Sequence, residues 1–168
     1  MVTLPINECP AYFEMYLKLV DKDILQELNT QLESYSKFIN SISKEKELFS
    51  YAPGKWTVKE VIGHITDTER IMFHRAFRIA RKDTTPLPGF DEDAYVAATD
   101  FNDRDMSDLL DEFVWLRKSV ISFYKTLKPG DLLHIGTASN KSVSARALFY
   151  FLLGHWQHHV NFLKERYL

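Results

Sequence analysis

His155 and His159 stand four residues apart in Gly154-His-Trp-Gln-His-His-Val160. On an α-helix that spacing sets the two side chains about 40° apart on one face, near enough for both imidazoles to ligate a single metal ion. Two imidazoles leave a cation short of ligands, and a further histidine, His64, occurs in Val61-Ile-Gly-His-Ile-Thr-Asp-Thr-Glu69. Three imidazoles around a cation with one position left open would make a reactive site, because an ion so held activates a nucleophile.

A lone histidine on an apolar face is ordinarily a core residue with a hydrogen bond, and that reading stands beside the metal reading for each of them taken singly. The pair shifts the balance. Each imidazole in the middle of an apolar stripe needs a polar partner, since an unsatisfied buried polar group costs about 1–3 kcal/mol, and one shared cation supplies both. His64 falls at the edge of its helix's apolar face, nearer Val61, Thr68 and Ile71 than the centre, and edge positions line clefts between helices. On pattern alone His74 and His134 are also available, although His74 borders a polar face and His134 lies in a turn-rich segment, so both read as solvated. His158 neighbours His155 at a spacing of three, but it sits about 100° round the helix from His159 and reads as a contact beside the pair or on the surface.

With 168 residues, 45% of them apolar and 14% aromatic, the chain can bury one substantial core, and a single domain over 1–168 is expected. The net charge of -2 with scattered basic residues leaves no electrostatic footprint for nucleic acid. Cys9, the single cysteine, excludes an intramolecular disulfide and reads as a structural or incidental thiol. The first residues have neither a basic nor an apolar leader region, and the longest apolar run, Ala147 to Gly154, is too short to span a bilayer. A soluble cytoplasmic protein with no membrane partner is expected.

Around the histidines, apolar residues recur at helical spacing in four long segments, which predicts an all-α fold. The first carries Leu25, Leu28, Leu32, Tyr35, Ile39 and Ile42, preceded by a shorter helical piece after Pro10. Thr57 and Glu60 form a capping-box pair opening the second helix, expected from about Val58 to Arg81. A long connection from Pro86 to Asn102, with a short helical turn, can carry the chain across the end of a bundle. The third helix begins near Asp105 or Ser107 and buries Leu109, Phe113, Leu116, Val120, Phe123 and Leu127 before Pro129-Gly130. After a polar loop containing Gly136 and Asn140, the last helix starts near Ser142 or Ser144 and carries Leu148, Phe151, Leu152, His155, His159 and Phe162 on one stripe.

In this order these residues resemble the DinB/YfiT superfamily of metal-binding four-helix bundles. The block Gly54-Lys-Trp-Thr-Val-Lys-Glu-Val-Ile-Gly-His64 is similar to the family's loop-to-helix passage with its ligand histidine. Pro88-Gly-Phe-Asp-Glu-Asp-Ala-Tyr95 resembles the following segment in the branch containing bacillithiol-type S-transferases, and Gly154-His-Trp-Gln-His-His-Val-Asn-Phe-Leu163 resembles the C-terminal ligand helix. The resemblance implies a four-helix bundle with a long crossover connection, a nickel or zinc ion held by His64, His155 and His159, and a homodimer. It also implies a small-molecule substrate, with a low-molecular-weight thiol attacking an electrophile in an S-transferase reaction as the first expectation. Hydrolysis by metal-activated water, or a non-catalytic metal-binding domain, are the alternatives.

Hydrolysis calls for a nearby acid or base. Glu69 is the better candidate beside His64, weighed against a buried salt bridge, because Asp67 projects away from the apolar stripe; Thr68, one turn beyond His64, could line the cavity. Trp56, Trp115 and Trp156 read as bundle packing, with Trp56 placed to wall a pocket. Arg70, Arg75, Arg78 and Arg146 could each favour an anionic thiol, but charges on long helices usually form solvated faces, and all four are left out of the site.

Overall fold

A computed structural model describes residues 3–21 and 23–168. The core of the fold is four long helices. After a 3₁₀ turn and the short α1 (Glu14–Leu17) come α2 (Ile24–Asn40), α3 (Val58–Ala80), the short α4 (Glu92–Ala97), α5 (Met106–Tyr124) and α6 (Ala145–Arg166). The α3 start is the expected capping box: Thr57 Oγ1 accepts from the Glu60 amide at 3.2 Å while the Glu60 carboxylate accepts from the Thr57 amide at 2.7 Å. Ser144 caps α6 by accepting from the Ala147 amide, and Asp91 caps α4 by accepting from that of Ala94.

Helix α3 packs on α6 and α5, and α2 packs on α5 and α6, so the consecutive pairs α2/α3 and α5/α6 occupy the diagonals of the bundle. The diagonal steps fall on the connections 41–57 and 125–144, while the long connection after α3 carries α4 back along α3. Helices α3 and α6 run antiparallel. Tyr167, just past α6, donates to the carbonyl of Trp56, just before α3, at 3.0 Å.

One piece departs from an all-helical reading. The segment expected as a polar loop holds a two-stranded antiparallel hairpin, β1 (Ile135–Ala138) with β2 (Lys141–Ser144). Ser139 and Asn140 between the strands both have positive φ, 50° and 60°, as a two-residue type I′ turn requires. Leu87 bridges to Ala138, its amide donating to the Thr137 carbonyl and its carbonyl accepting from the Ser139 amide, which fixes the Pro88–Phe90 stretch beside the hairpin turn.

Buried faces shift slightly from the expected stripes. In α2 the buried positions include Ile24, Gln31 and Phe38, whereas Leu25 and Leu32 are half-buried; in α5 Arg117 is buried and Leu116 is only half-buried. Arg117 is the reason. Its guanidinium, fully buried, donates to both carboxylate oxygens of Glu69 at 2.6 Å and to Gln31 Oε1 at 2.9 Å, and Gln31 in turn donates to the Leu153 carbonyl at 3.0 Å. That chain of bonds touches all four long helices. Glu69 is therefore a salt-bridge residue of the core and not a free base beside His64. Trp115, expected to pack within the bundle, is instead 69% exposed on the outer face of α5.

Substituting Arg117→Met should strand the Glu69 carboxylate in the core and cost about 3–5 kcal/mol in urea unfolding, while the double change Glu69→Leu with Arg117→Met should recover much of that loss. A single-variant cost below about 1 kcal/mol would show that the buried charges are not what fixes these helices.

Candidate metal centre and its cavity

Burial and helix geometry deliver the three histidines to one point. His64 lies on the second turn of α3, and His155 and His159 lie one turn apart on α6, which runs the opposite way beside it. His64 Nε2 is 3.2 Å from His155 Nε2, which is 3.1 Å from His159 Nε2, and the ligating nitrogens of all three lie within 4.8 Å of one another. Hydrogen bonding does not account for this cluster. His155 Nε2 faces two ring nitrogens, and as either a single N–H or a single lone pair it can satisfy one of them. Nitrogens bound to one divalent ion at about 2.0–2.1 Å sit roughly 3.0–3.4 Å apart, which matches both contacts. His64, His155 and His159 can thus hold a divalent metal.

Their protonation states suit that role. Burial pushes His64 down to about 4, and burial, followed by the neighbouring histidines, holds His155 and His159 well below the usual imidazole range. Each is neutral at pH 7 and keeps a lone pair to donate. Phe151 stacks on His155, with ring centroids 5.3 Å apart, and Trp56 lies 4.7 Å from the His64 ring and walls the site. His158 is half-buried and stands beside the trio, its ring 5.0 Å from that of His159 and edge-on to Tyr16. His74 is exposed. His134 is half-buried on the Ala80 carbonyl, outside the cluster.

Close approach of the N-terminal segment completes the back of the centre. A Cβ on Gly154 would land on the Tyr16 carbonyl, so only glycine lets α1 lie against α6 one residue before His155. The front opens into a cavity of about 400 Å³ lined by the trio and by one face of α3: Thr68, Met72 and Arg75. Tyr12 and Tyr16 from the α1 region, Phe90 and Glu92 from the connection after α3, and Ser139 from the hairpin turn close it over. A second cavity of about 410 Å³, with Tyr51, Lys55, Phe162 and Tyr167 on its walls, shares Trp56, His158 and His159 with the first.

Residue composition alone left two of these groups out. Arg75, set aside as surface charge, is 3% exposed on the cavity wall, and the signal available was its spacing of eleven from His64, three helical turns on. Glu92 opens the short α4, whose six residues are too few for periodicity to place it. The other arginines do leave the site, pairing with Asp67 and Glu112 (Arg70), Asp83 (Arg78) and Glu8 (Arg146).

Residues 27–163 match the sequence profile of the DinB superfamily. The chain belongs to the DinB superfamily. The fold is similar to that of YfiT from Bacillus subtilis, described as "a probable metal-dependent hydrolase with an unusual four-helix bundle topology", with a TM-score of 0.71 at 16% identity over 98% of this chain and 90% of that one. A protein of Oceanobacillus iheyensis named a "putative metal-dependent hydrolase" is 27% identical over 79 residues, which are 46% of this chain and 45% of that relative. The chain thus matches somewhat less than half the length of that curated relative. Among the described residues no helix is long and apolar enough to cross a membrane.

Neutral burial of the trio has a pH consequence. Because the fold lowers the His64 pKa from the ordinary imidazole value of 6.5 to about 4, the unfolded chain gains a proton first as pH falls, so stability is lost below about pH 6.5 and levels off near pH 4. For the chelator-treated protein, urea unfolding at pH 5 should give about 1–2 kcal/mol less stability through His64 alone than at pH 7.5, and His64→Leu should flatten the profile. An unchanged slope in that variant would contradict the assignment.

Proposed function

We propose that this protein is a metal-dependent enzyme of the hydrolase type, with a divalent cation held by His64, His155 and His159. The observation that carries the reading is where the trio sits: at the wall of a 400 Å³ cavity, with no fourth histidine, thiol or carboxylate in the cluster among the described residues. Structural sites close with four protein ligands, whereas catalytic ones keep three and an open position. A cation there lowers the pKa of a water or thiol on the open position toward neutrality and so supplies a nucleophile at physiological pH.

The chain's own groups supply the rest. Thr68, one turn beyond His64, carries a buried hydroxyl with no hydrogen-bond partner and lines the cavity, so it can donate to the reacting group of a substrate. Among the described residues Glu92 is the one carboxylate on the cavity wall, and it can take a proton there, the role for which Glu69 is unavailable. Trp56 and Phe151 flank the imidazoles and keep that end of the cavity apolar.

Thiol transfer, the chemistry of the bacillithiol-type branch, is the second reading, and one observation favours it. Two cavities meet at Trp56, His158 and His159, so two reactants could approach the centre from different sides. Nickel and zinc both suit an all-imidazole ligand set.

The test is metal analysis of untagged protein followed by ester and amide hydrolysis and thiol-conjugation assays on the same samples. About one divalent ion per chain is expected, lost in His155→Ala together with activity by on the order of 100-fold or more. Glu92→Gln should retain the metal and lower hydrolysis about 100-fold or more, as removal of a proton acceptor does. Metal-dependent conjugation without hydrolysis would select the second reading, and absence of bound metal would reject both.

A further inference from the structure

Arg75 is a buried cation without a counter-ion. At 3% exposure it forms no salt bridge among the described residues, and its hydrogen bonds go to neutral groups: Nη2 donates to the Pro88 carbonyl at 2.6 Å and to Ser139 Oγ at 3.1 Å, and Nη1 to Met72 Sδ at 3.3 Å. Three of its five N–H groups are thereby engaged, one of them only by a thioether. Sequestering a charge from water is costly unless an opposite charge meets it. Glu92, the carboxylate on the same cavity, does not pair with it.

Position gives the charge a purpose. Arg75 follows His64 by eleven residues, which places both within about 20° on one face of α3 and about 16 Å apart along its axis. The contact with Met72 Sδ, one turn earlier, shows the guanidinium folding back toward the His64 end, as helical side chains do. Phe90 lies under it, 5.7 Å from ring centroid to guanidinium carbon. A purely structural clamp between α3, the Pro88 carbonyl and the hairpin turn needs donors but no charge.

We infer that the cavity binds an anionic small molecule, a carboxylate or phosphate compound, whose oxyanion is held by the Arg75 guanidinium with the Ser139 hydroxyl while its other end reaches the three imidazoles. Recognition is of the charge-assisted, fork-shaped kind that guanidinium provides. The span from anchor to reacting end is under about 16 Å, which sets an upper length for the substrate. The placement of the reacting end rests on the proposed metal-dependent function; the oxyanion site does not.

The experiment compares glutarate and phenyl phosphate with the neutral glutaramide and phenol by calorimetric titration, on chelator-treated and on zinc-loaded protein. In wild type each anion should bind at least about 10-fold tighter than its neutral counterpart, and Arg75→Met should bring the two within about 2-fold by weakening the anion far more than the neutral probe. Ser139→Ala, a surface-turn change that leaves the core intact, should weaken the anions about 3-fold and the neutral probes not at all, which keeps the test decisive if Arg75→Met does not fold. Glutarate preferred over phenyl phosphate would assign a carboxylate substrate, and the reverse a phosphate. Equal binding of charged and neutral probes by wild type, or a preference that survives Arg75→Met, overturns the inference. An Arg75-dependent preference in protein that takes up no zinc would leave this site standing and remove the metal reading; zinc uptake without any anion preference would do the opposite.

Discussion

One buried guanidinium holds the four long helices in a fixed relation. Apolar surfaces tolerate small rotations and slides, but a bidentate bond at 2.6 Å from Arg117 to Glu69 does not, and the same side chain reaches α6 through Gln31 and the Leu153 carbonyl. Glu69 lies five residues beyond His64 on α3, and Leu153 two residues before His155 on α6. The chain of bonds therefore sets the rotation of α3 and the height of α6 immediately beside the points where their histidines must meet. Imidazole nitrogens 3.1–3.2 Å apart leave little room for error, and a directional polar core is the kind of contact that supplies the needed precision.

Around that frame the molecule divides its labour by helix face. The side of α3 toward α5 carries Glu69 and locks the bundle; the side toward the cavity carries His64, Thr68, Met72 and Arg75 at intervals of four, four and three. Both series run along one rigid rod. The covering parts are short and irregular by contrast: the α1 region, the Pro88–Glu92 stretch and the hairpin turn each bring a few side chains over the opening. Such loops are where ligand recognition ordinarily varies while the scaffold stays put.

How much of this could be read from the chain follows from the range of each signal. His155 and His159 share a helix, so their meeting is a matter of spacing alone. His64 is on another helix, and periodicity could not choose it over His74 or His134; the resemblance to DinB proteins did, and the structure brings it to the pair. The cap at Thr57 was legible because it depends on residues within one turn, and the last helix start was narrowed to Ser142 or Ser144, of which Ser144 is the cap. The β1–β2 hairpin was not, since four-residue strands are too short to show alternation, although Ser139-Asn140 between them is turn chemistry. Arg75 read as surface charge, and nothing in the sequence singled out Arg117, because burial of a charged residue depends on what another helix or loop offers it, and that is invisible in a local window.

His64 and His155 are 91 residues apart in the chain, yet their ring nitrogens nearly touch. Closing so long a loop is entropically uphill until the packing around it is in place. Partly folded forms with α3 and α6 still apart keep these imidazoles in water, with ordinary basicity and no shared centre. The cluster is for this reason a reporter of complete tertiary assembly: an unfinished chain offers only isolated side chains, and three imidazoles converge on one point only in the native state.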